Sequence, residues 1–181
     1  ERLTDEVAAL AADLGRQVGV IVVARESTSA QRAVLGRAGV QDVLPKPAHW
    51  RDLIALSHVL LTPAGRNAAV ELTTDVSSVY DALSALLRSG RTGRLDLERG
   101  RASVGFRQGK VTDVRFGHRT GDEALVRLLK LAVGAYRVSF HVPPMPASLN
   151  WGIADVVERV GPQLLRWQKL VADSVPMNSV W

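Results

Sequence analysis

The chain has 181 residues, of which 46% are apolar, and its formal net charge at pH 7 is +5. This length and apolar content support one large domain or two small ones with a real core, and no apolar run is long enough to cross a membrane. Cysteine is absent, which excludes disulfides, thiolate catalysis and thiolate zinc sites, so we expect a cytoplasmic protein without membrane insertion.

Residues 1–62 are predicted to alternate between helices and parallel strands. A helix over residues 1–16 is indicated by an apolar face of Leu3, Val7, Leu10 and Leu14. The continuous apolar run over residues 18–23 predicts a strand buried on both faces, as in a parallel sheet. A helix over 29–38, in which residues 27–29 supply capping hydroxyls, a strand over 40–44 and a helix over 50–61 complete an α/β unit with right-handed crossovers.

This segment resembles the second half of a response-regulator receiver domain. The resemblance rests on VIVVARESTSAQRAVLGRAGVQDVLPKPAHWRDLIAL, and GVQDVLPKP is its most specific part. It implies that Lys46 is the lysine that contacts the phosphoryl group and that the Lys46–Pro47 bond is cis. The strand-end hydroxyl of typical receivers is Ala24 here, and the aromatic switch position is Val43. These four residues therefore mark a vestigial receiver site.

The acidic front half of a receiver is not in the sequence, so we expect these residues to accept no phosphoryl group. The first residue is Glu1 rather than methionine, and we expect the sequence to be part of a longer chain. The missing neighbour leaves one edge of the predicted strand unpaired, and an open edge is a template for association. We expect this edge to be covered by a second copy in a homodimer through residues 1–62, by an arm such as Val175–Trp181, or by the missing half.

Residues 63–74 are predicted to be a linker, since they hold Pro63, Gly65 and several small residues. A helix over 76–88, capped by Asp75, comes next. An antiparallel meander follows, with strands around Leu95–Leu97, Ala102–Phe106 and Thr112–Phe116 and turns at residues 99–100 and 108–109. A helix with a Thr120–Glu123 capping box and a fourth strand over 136–140 make this second part α+β.

Residues 75–181 resemble the PATAN domain, which is often fused to receivers in bacteria. The resemblance rests on Thr92-Gly93-Arg94-Leu95, Gly109-Lys110-Val111, Gly121-Asp122-Glu123-Ala124-Leu125 and Gly134-Ala135-Tyr136. It implies an output domain that docks a partner protein. A proline-rich connector and a last helix over 151–171, kinked or interrupted at Pro162, form a C-terminal extension.

The positive charge is concentrated in residues 88–119, where nine Lys or Arg face three Asp or Glu. We expect this basic meander to bind an acidic protein partner, and the candidate partner-binding residues are Arg94, Arg99, Arg101, Arg107 and Arg115. No aromatic residues interleave on its polar face to stack bases, so nucleic acid is the weaker hypothesis.

No catalytic or metal-binding constellation is visible. The four histidines lie in different predicted elements, and Asp122 and Glu123 begin a helix, where carboxylates serve the helix dipole. We therefore expect a non-enzymatic signalling or scaffold module of a bacterial two-component system, with no cofactor and no metal. Two alternatives stay open: a phosphorylation-dependent response regulator whose phosphoacceptor half lies elsewhere, and a nucleic-acid or nucleotide binder that uses the basic meander.

Overall fold

A computed structural model describes residues 2–14, 18–61, 69–75, 77–97, 101–131, 134–140 and 147–174. Within these ranges the helices are α1 (Arg2–Leu14), α2 (Ser29–Arg37), α3 (Trp50–Leu61), α4 (Val79–Arg88), α5 (Gly121–Leu131) and α6 (Ile153–Ser174). The strands are β1 (Val20–Ala24), β2 (Val40–Pro45), β3 (Val70–Thr73), β4 (Gly93–Leu97), β5 (Ala102–Arg107), β6 (Lys110–Phe116), β7 (Arg119–Thr120) and β8 (Ala135–Ser139). None of these helices combines the length and the apolar character that spanning a membrane requires.

The N-terminal elements form a two-stranded parallel sheet, β1–β2, with α2 as the crossover between the strands. Helix α2 begins at Thr28, whose hydroxyl accepts from the backbone N–H of Gln31 at 3.2 Å. The Gln31 side chain in turn accepts from the Thr28 N–H at 2.9 Å. The prediction that the hydroxyl cluster at residues 27–29 caps a helix is therefore confirmed, in the form of a capping box.

The predicted burial of β1 and α1 is wrong. Every residue of β1 is only partly buried, because the sheet has two strands among the described residues and its outer edge faces solvent. On α1 the buried residue is Ala11, at 2% exposure, whereas Leu10 and Leu14 are 60% and 44% exposed. Leu10 and Leu14 of the predicted apolar row thus lie on the surface, whereas Val7 of the same row is half-buried against the cluster of Ala11.

The remaining strands form one antiparallel sheet of six strands in the order β3-β8-β4-β5-β6-β7. The predicted meander is confirmed as β4, β5 and β6, and the predicted fourth strand is β8, which pairs with β4. The predicted linker over 63–74 needs a correction, because residues 70–73 are the edge strand β3. There Val70 and Leu72 are buried and alternate with exposed Glu71 and Thr73, a period-two pattern that is only four residues long.

One face of this sheet supplies the main core. Val138, Leu95, Val104 and Val114 are cross-strand neighbours in one row through β8, β4, β5 and β6, and each is 0% exposed. Buried residues of α3, α4, α5 and α6 belong to the same cluster. The alternation read from the sequence is confirmed here, because a sheet that buries one face requires it.

Three details of the second half differ from the predictions. Helix α4 begins at Ser78, whose hydroxyl accepts from the Asp81 N–H at 3.0 Å, and not at Asp75. In β6 the buried residues are Val111, Asp113 and Val114, so the predicted alternation of Thr112, Val114 and Phe116 holds only at Val114, because an irregularity in the pairing with β5 shifts the register. Of the two effects predicted for Pro162, an interruption of the last helix does not occur, because α6 runs through this residue.

The Thr120–Glu123 capping box is not formed. Thr120 belongs to β7, and among the described residues its side chain makes no hydrogen bond to Glu123. The Glu123 carboxylate lies 2.6 Å from Arg119 Nε and 3.4 Å from Arg127 Nε. The carboxylate that a capping box needs is therefore paired with two arginines, each four residues away from Glu123 in the sequence.

Candidate functional site

The four residues of the predicted vestigial receiver site divide into two groups. Ala24 and Lys46 meet at the carboxyl end of the parallel sheet, where the Lys46 N–H donates to the Ala24 carbonyl at 2.7 Å. The Lys46 side chain is exposed, and the Lys46–Pro47 bond is cis, as the resemblance implied. Val43 is 3% exposed and packs in a small separate cluster with Ala11 and Leu35. It is therefore a core residue and not a neighbour of Lys46.

The receiver-like segment and the six-stranded sheet share one core. Leu44 of β2 and the buried face of α3, formed by Ala55, Leu56, Val59 and Leu60, belong to the cluster that contains α4 and the large sheet. Helix α3 packs along α4. The two parts are therefore joined by continuous apolar packing and not only through the connecting residues.

Charged side chains reinforce this junction. Arg91, which follows α4, places its Nε 2.8 Å from Asp42 Oδ2 and donates through Nη2 to the Gln41 carbonyl, while its guanidinium lies 5.5 Å from the centre of the Phe140 ring. Asp42 is only 7% exposed, so losing this partner would leave a buried carboxylate without a counter-charge.

Two further arginines tie the junction together. Arg88 of α4 lies 3.4 Å from the carboxylate of Asp52, which is buried on α3, as an ion pair without hydrogen-bond alignment. From the other side, Arg32 of α2 donates to the Ser89 carbonyl at 2.5 Å. Arg88 and Arg91 belong to the basic meander, yet both are used inside the chain.

Two of the five candidate partner-binding arginines are balanced by neighbouring acids. Arg94 Nε lies 2.7 Å from Asp96 Oδ1 on β4, and Arg115 Nε lies 3.2 Å from Asp113 Oδ2 on β6. In the sheet register Arg94 and Asp113 flank Gly105, whereas Asp96 and Arg115 flank Ser103, which is 4% exposed. Charges of opposite sign thus alternate over the polar face, and the predicted positive patch is locally neutral there.

The other three candidates are in different situations. Arg99 lies outside the described residues, and Arg101 is exposed but has an interaction partner. Arg107 is exposed at the end of β5, opposite Lys110 of β6 in the hairpin register. Among the described residues, the structure gives no acidic partner for Arg107 or Lys110. In the part of the chain that the structure describes, the predicted positive patch is therefore confined to the end of the β5–β6 hairpin.

This hairpin end borders a cleft of about 520 Å³. Its polar lining comes from the hairpin, from β6 and from the segment that precedes α6: Arg107, Gln108, Lys110, Thr112, Ser148 and Asn150. Residues 148–151 run beside β6, where the Ser148 and Leu149 N–H groups both donate to the Thr112 carbonyl at 3.0 Å. Val111 and Trp151 exchange two backbone hydrogen bonds, so that the second wall is fixed to the sheet.

A second, more apolar groove of about 340 Å³ lies between α5 and α6. Val126 and the 37% exposed Trp167 supply its apolar surface, and Arg127, Lys130 and Gln163 surround them. No three potential metal-ligating side chains converge anywhere in the part of the chain that the structure describes.

Three titratable groups of the described residues have raised pKa values: Arg137, through its hydrogen bond and charge contact with Glu71, and the phenols of Tyr80 and Tyr136. Burial raises the pKa of Tyr136, whose hydroxyl donates to the Ser77 carbonyl at 2.9 Å. Burial also raises the pKa of Tyr80 on α4. Both phenols therefore stay protonated at neutral pH, and Tyr136 anchors β8 to the residues before α4.

Comparison with known proteins adds no family or relative: no family model matches the chain, and no curated protein or solved structure is similar to it. The likenesses to receivers and to PATAN domains accordingly stay predictions. The partners of Arg88 and Arg91 could not be predicted from the sequence. Asp42 and Asp52 precede these arginines by several elements, and nothing in a single sequence marks residues so far apart as a pair.

Proposed function

We propose that this chain is a cytoplasmic, non-enzymatic signalling or scaffold module that works through protein–protein contacts. In this proposal residues 1–62 are a degenerate receiver-like segment of the response-regulator type, and the six-stranded part is a PATAN-type interaction domain. The observation that carries the proposal is the junction between them. Because α3 and β2 share a core with α4 and the large sheet, the buried face of α3 is closed to other molecules, and the opposite side of the receiver-like segment carries α1.

That opposite side has the properties of an association surface. Leu10, Leu14 and Val18 are 60%, 44% and 54% exposed, and they precede β1, whose outer edge is unpaired among the described residues. An open strand edge and exposed apolar side chains each favour pairing with another chain. Residues 1–62 hold seven basic and seven acidic residues, so net charge does not oppose self-association. These features support a second copy of this chain as the occupant.

Sedimentation velocity over a range of concentrations tests the dimer. We expect reversible dimerisation of the full 181-residue chain, and we expect Leu10→Glu combined with Leu14→Glu to shift it to monomer because both carboxylates would enter the interface. Leu165→Glu is the matched control, since Leu165 is 67% exposed on α6, away from this surface. A wild-type chain that stays monomeric at every concentration, or a control that dissociates equally, would contradict the proposal.

The full chain is the right material for this test. A truncation to the PATAN-type part would remove Leu44, Leu56 and Val59 from the main core, where each is 1% exposed or less. Such a fragment would expose its apolar α4 and would associate for that reason alone. Point substitutions on the surface leave the shared core intact and therefore report on the interface itself.

A further inference from the structure

Arg107 and Lys110 form an unfavourable pair in the folded chain. They are direct cross-strand neighbours at the end of the β5–β6 hairpin, so their side chains leave the sheet on the same face. Like charges at directly opposed positions destabilise a sheet, and no described acid lies within ion-pair distance of either one. The other described basic residues between 88 and 119 all have partners within the chain. An anion held between these two cations would remove the repulsion.

The turn that carries the pair is held rigidly. Gln108 and Gly109 both have positive φ, 50° and 76°, which is the backbone of a two-residue hairpin turn. The Gly109 N–H donates to the Arg91 carbonyl at 3.1 Å, and the Gln108 N–H donates to Thr92 Oγ1 at 3.0 Å. A Cβ at position 109 would lie 2.5 Å from the Leu87 carbonyl oxygen, so the turn is packed directly on the end of α4. The backbone positions that carry the two cations are therefore fixed before any ligand arrives, which reduces the entropic cost of binding.

The cleft beside the pair offers the groups that a phosphate requires. An arginine fork binds phosphate oxygens in pairs, and a lysine adds a mobile point charge. Thr112, Ser148 and Asn150 line the same cleft and carry neutral hydrogen-bond donors. The volume of about 520 Å³ exceeds what a single phosphate fills and lies in the range of sites for small organic ligands. Ala147 and Leu149 supply apolar lining for the rest of such a molecule.

We propose that this cleft binds a small phosphate-bearing anion of nucleotide size between Arg107 and Lys110. A nucleic-acid strand fits the observations less well. Its backbone would need a row of free cations, whereas Arg94 and Arg115 are neutralised by Asp96 and Asp113. The residues that line the cleft include no aromatic ring on which bases could stack. The site is separate from the proposed dimer surface on α1 and β1, so either proposal can fail without the other.

Isothermal titration of the full chain with inorganic pyrophosphate and with ADP tests the proposal. We expect at least one probe to bind, and Arg107→Gln with Lys110→Gln to weaken it by about tenfold or more for each charge removed. Arg25→Gln with Arg166→Gln is the matched control, because it removes two exposed charges outside the cleft and should change the affinity by less than about threefold. Tighter binding of ADP than of pyrophosphate would place the organic part in the cleft, and equal binding would assign the site to the phosphates; both results support the proposal.

Three results would overturn it. The first is that neither probe binds at millimolar concentration, and the second is that the control pair weakens binding as much as the cleft pair. The third is that a single-stranded oligonucleotide binds more tightly than ADP, with a steep salt dependence and without sensitivity to the cleft pair.

Lys110→Glu gives a second readout that a merely disrupted fold cannot imitate. It converts the repulsive cross-strand pair into an attractive one, so the ligand-free chain should melt about 1–4 °C higher while losing affinity for the anion by about a hundredfold. A lower melting temperature would show that the two cations do not repel each other, and the argument for the site would be lost.

Discussion

The two sheets of this chain are stabilised in different ways. In the antiparallel sheet, alternate residues of four adjacent strands are completely buried on one side, and the strands pair continuously from β3 to β7. In the parallel sheet, β1 is partly exposed along its whole length and has one paired edge. The antiparallel part contains most of its own core, whereas the parallel part depends on α3 packing against α4. A strand sequence that is apolar throughout is therefore no guarantee of burial when its neighbours are not present.

The largest difference in stability should come from making the same substitution, Val to Ala, in each of the two sheets. Val104→Ala in β5 should cost about 2–3 kcal/mol of unfolding free energy, because Val104 is 0% exposed and leaves a cavity. Val22→Ala in β1 should cost about 1 kcal/mol or less, since Val22 is half-buried and its site is open to water. Urea denaturation of both variants measures the difference. Equal losses would show that β1 is covered as completely as β5 in solution.

A smaller effect should come from the ion pair that joins the two parts. Arg91→Gln should cost about 2 kcal/mol, because it leaves the 7% exposed Asp42 carboxylate without its charged partner. Arg137→Gln is the control, since Arg137 and Glu71 are paired at side-chain exposures of 55% and 67% and such pairs contribute about 1 kcal/mol or less.

A double-mutant cycle with Asp42→Asn isolates the Arg91–Asp42 coupling. We expect the losses from the two single variants to be non-additive, and additive losses would mean that the junction is stabilised by apolar packing alone. The cycle therefore shows how far the parallel segment depends on charge for its attachment.

The smallest effect should separate two threonines that look alike in sequence. Thr28→Ala should cost about 1 kcal/mol, because Thr28 caps α2 in the parallel part. Thr120→Ala should change stability by less than about 0.5 kcal/mol, because its predicted capping box is not formed and Glu123 binds Arg119 and Arg127. Thermal melts of the two variants under the same conditions provide the comparison. A loss of stability at Thr120 that matches the loss at Thr28 would show that Thr120 caps α5 after all.

Local patterns in the sequence determined most of the secondary structure. Helix α3 was predicted over the residues that form it, and the apolar residues of β4 and β5 alternate as a sheet with one buried face requires, whereas β6 departs from this pattern. The hairpin turn at residues 108–109 was also visible, because its backbone needs positive φ, which glycine supplies. The short strand β3 was missed, because four residues are too few to show a period.

Only the tertiary structure decided what the arginines do. The sequence placed nine basic residues in the meander, but which of them meet an acid depends on strand register and on the packing of α3 against α4. Arg91 is neutralised by Asp42, which is 49 residues away in the sequence, whereas Arg107 is left facing Lys110. The physical reason is the distance along the chain. Hydrophobic periodicity can be read from a few neighbouring residues, whereas a pair such as Arg91 and Asp42 joins residues that come together only when the chain folds.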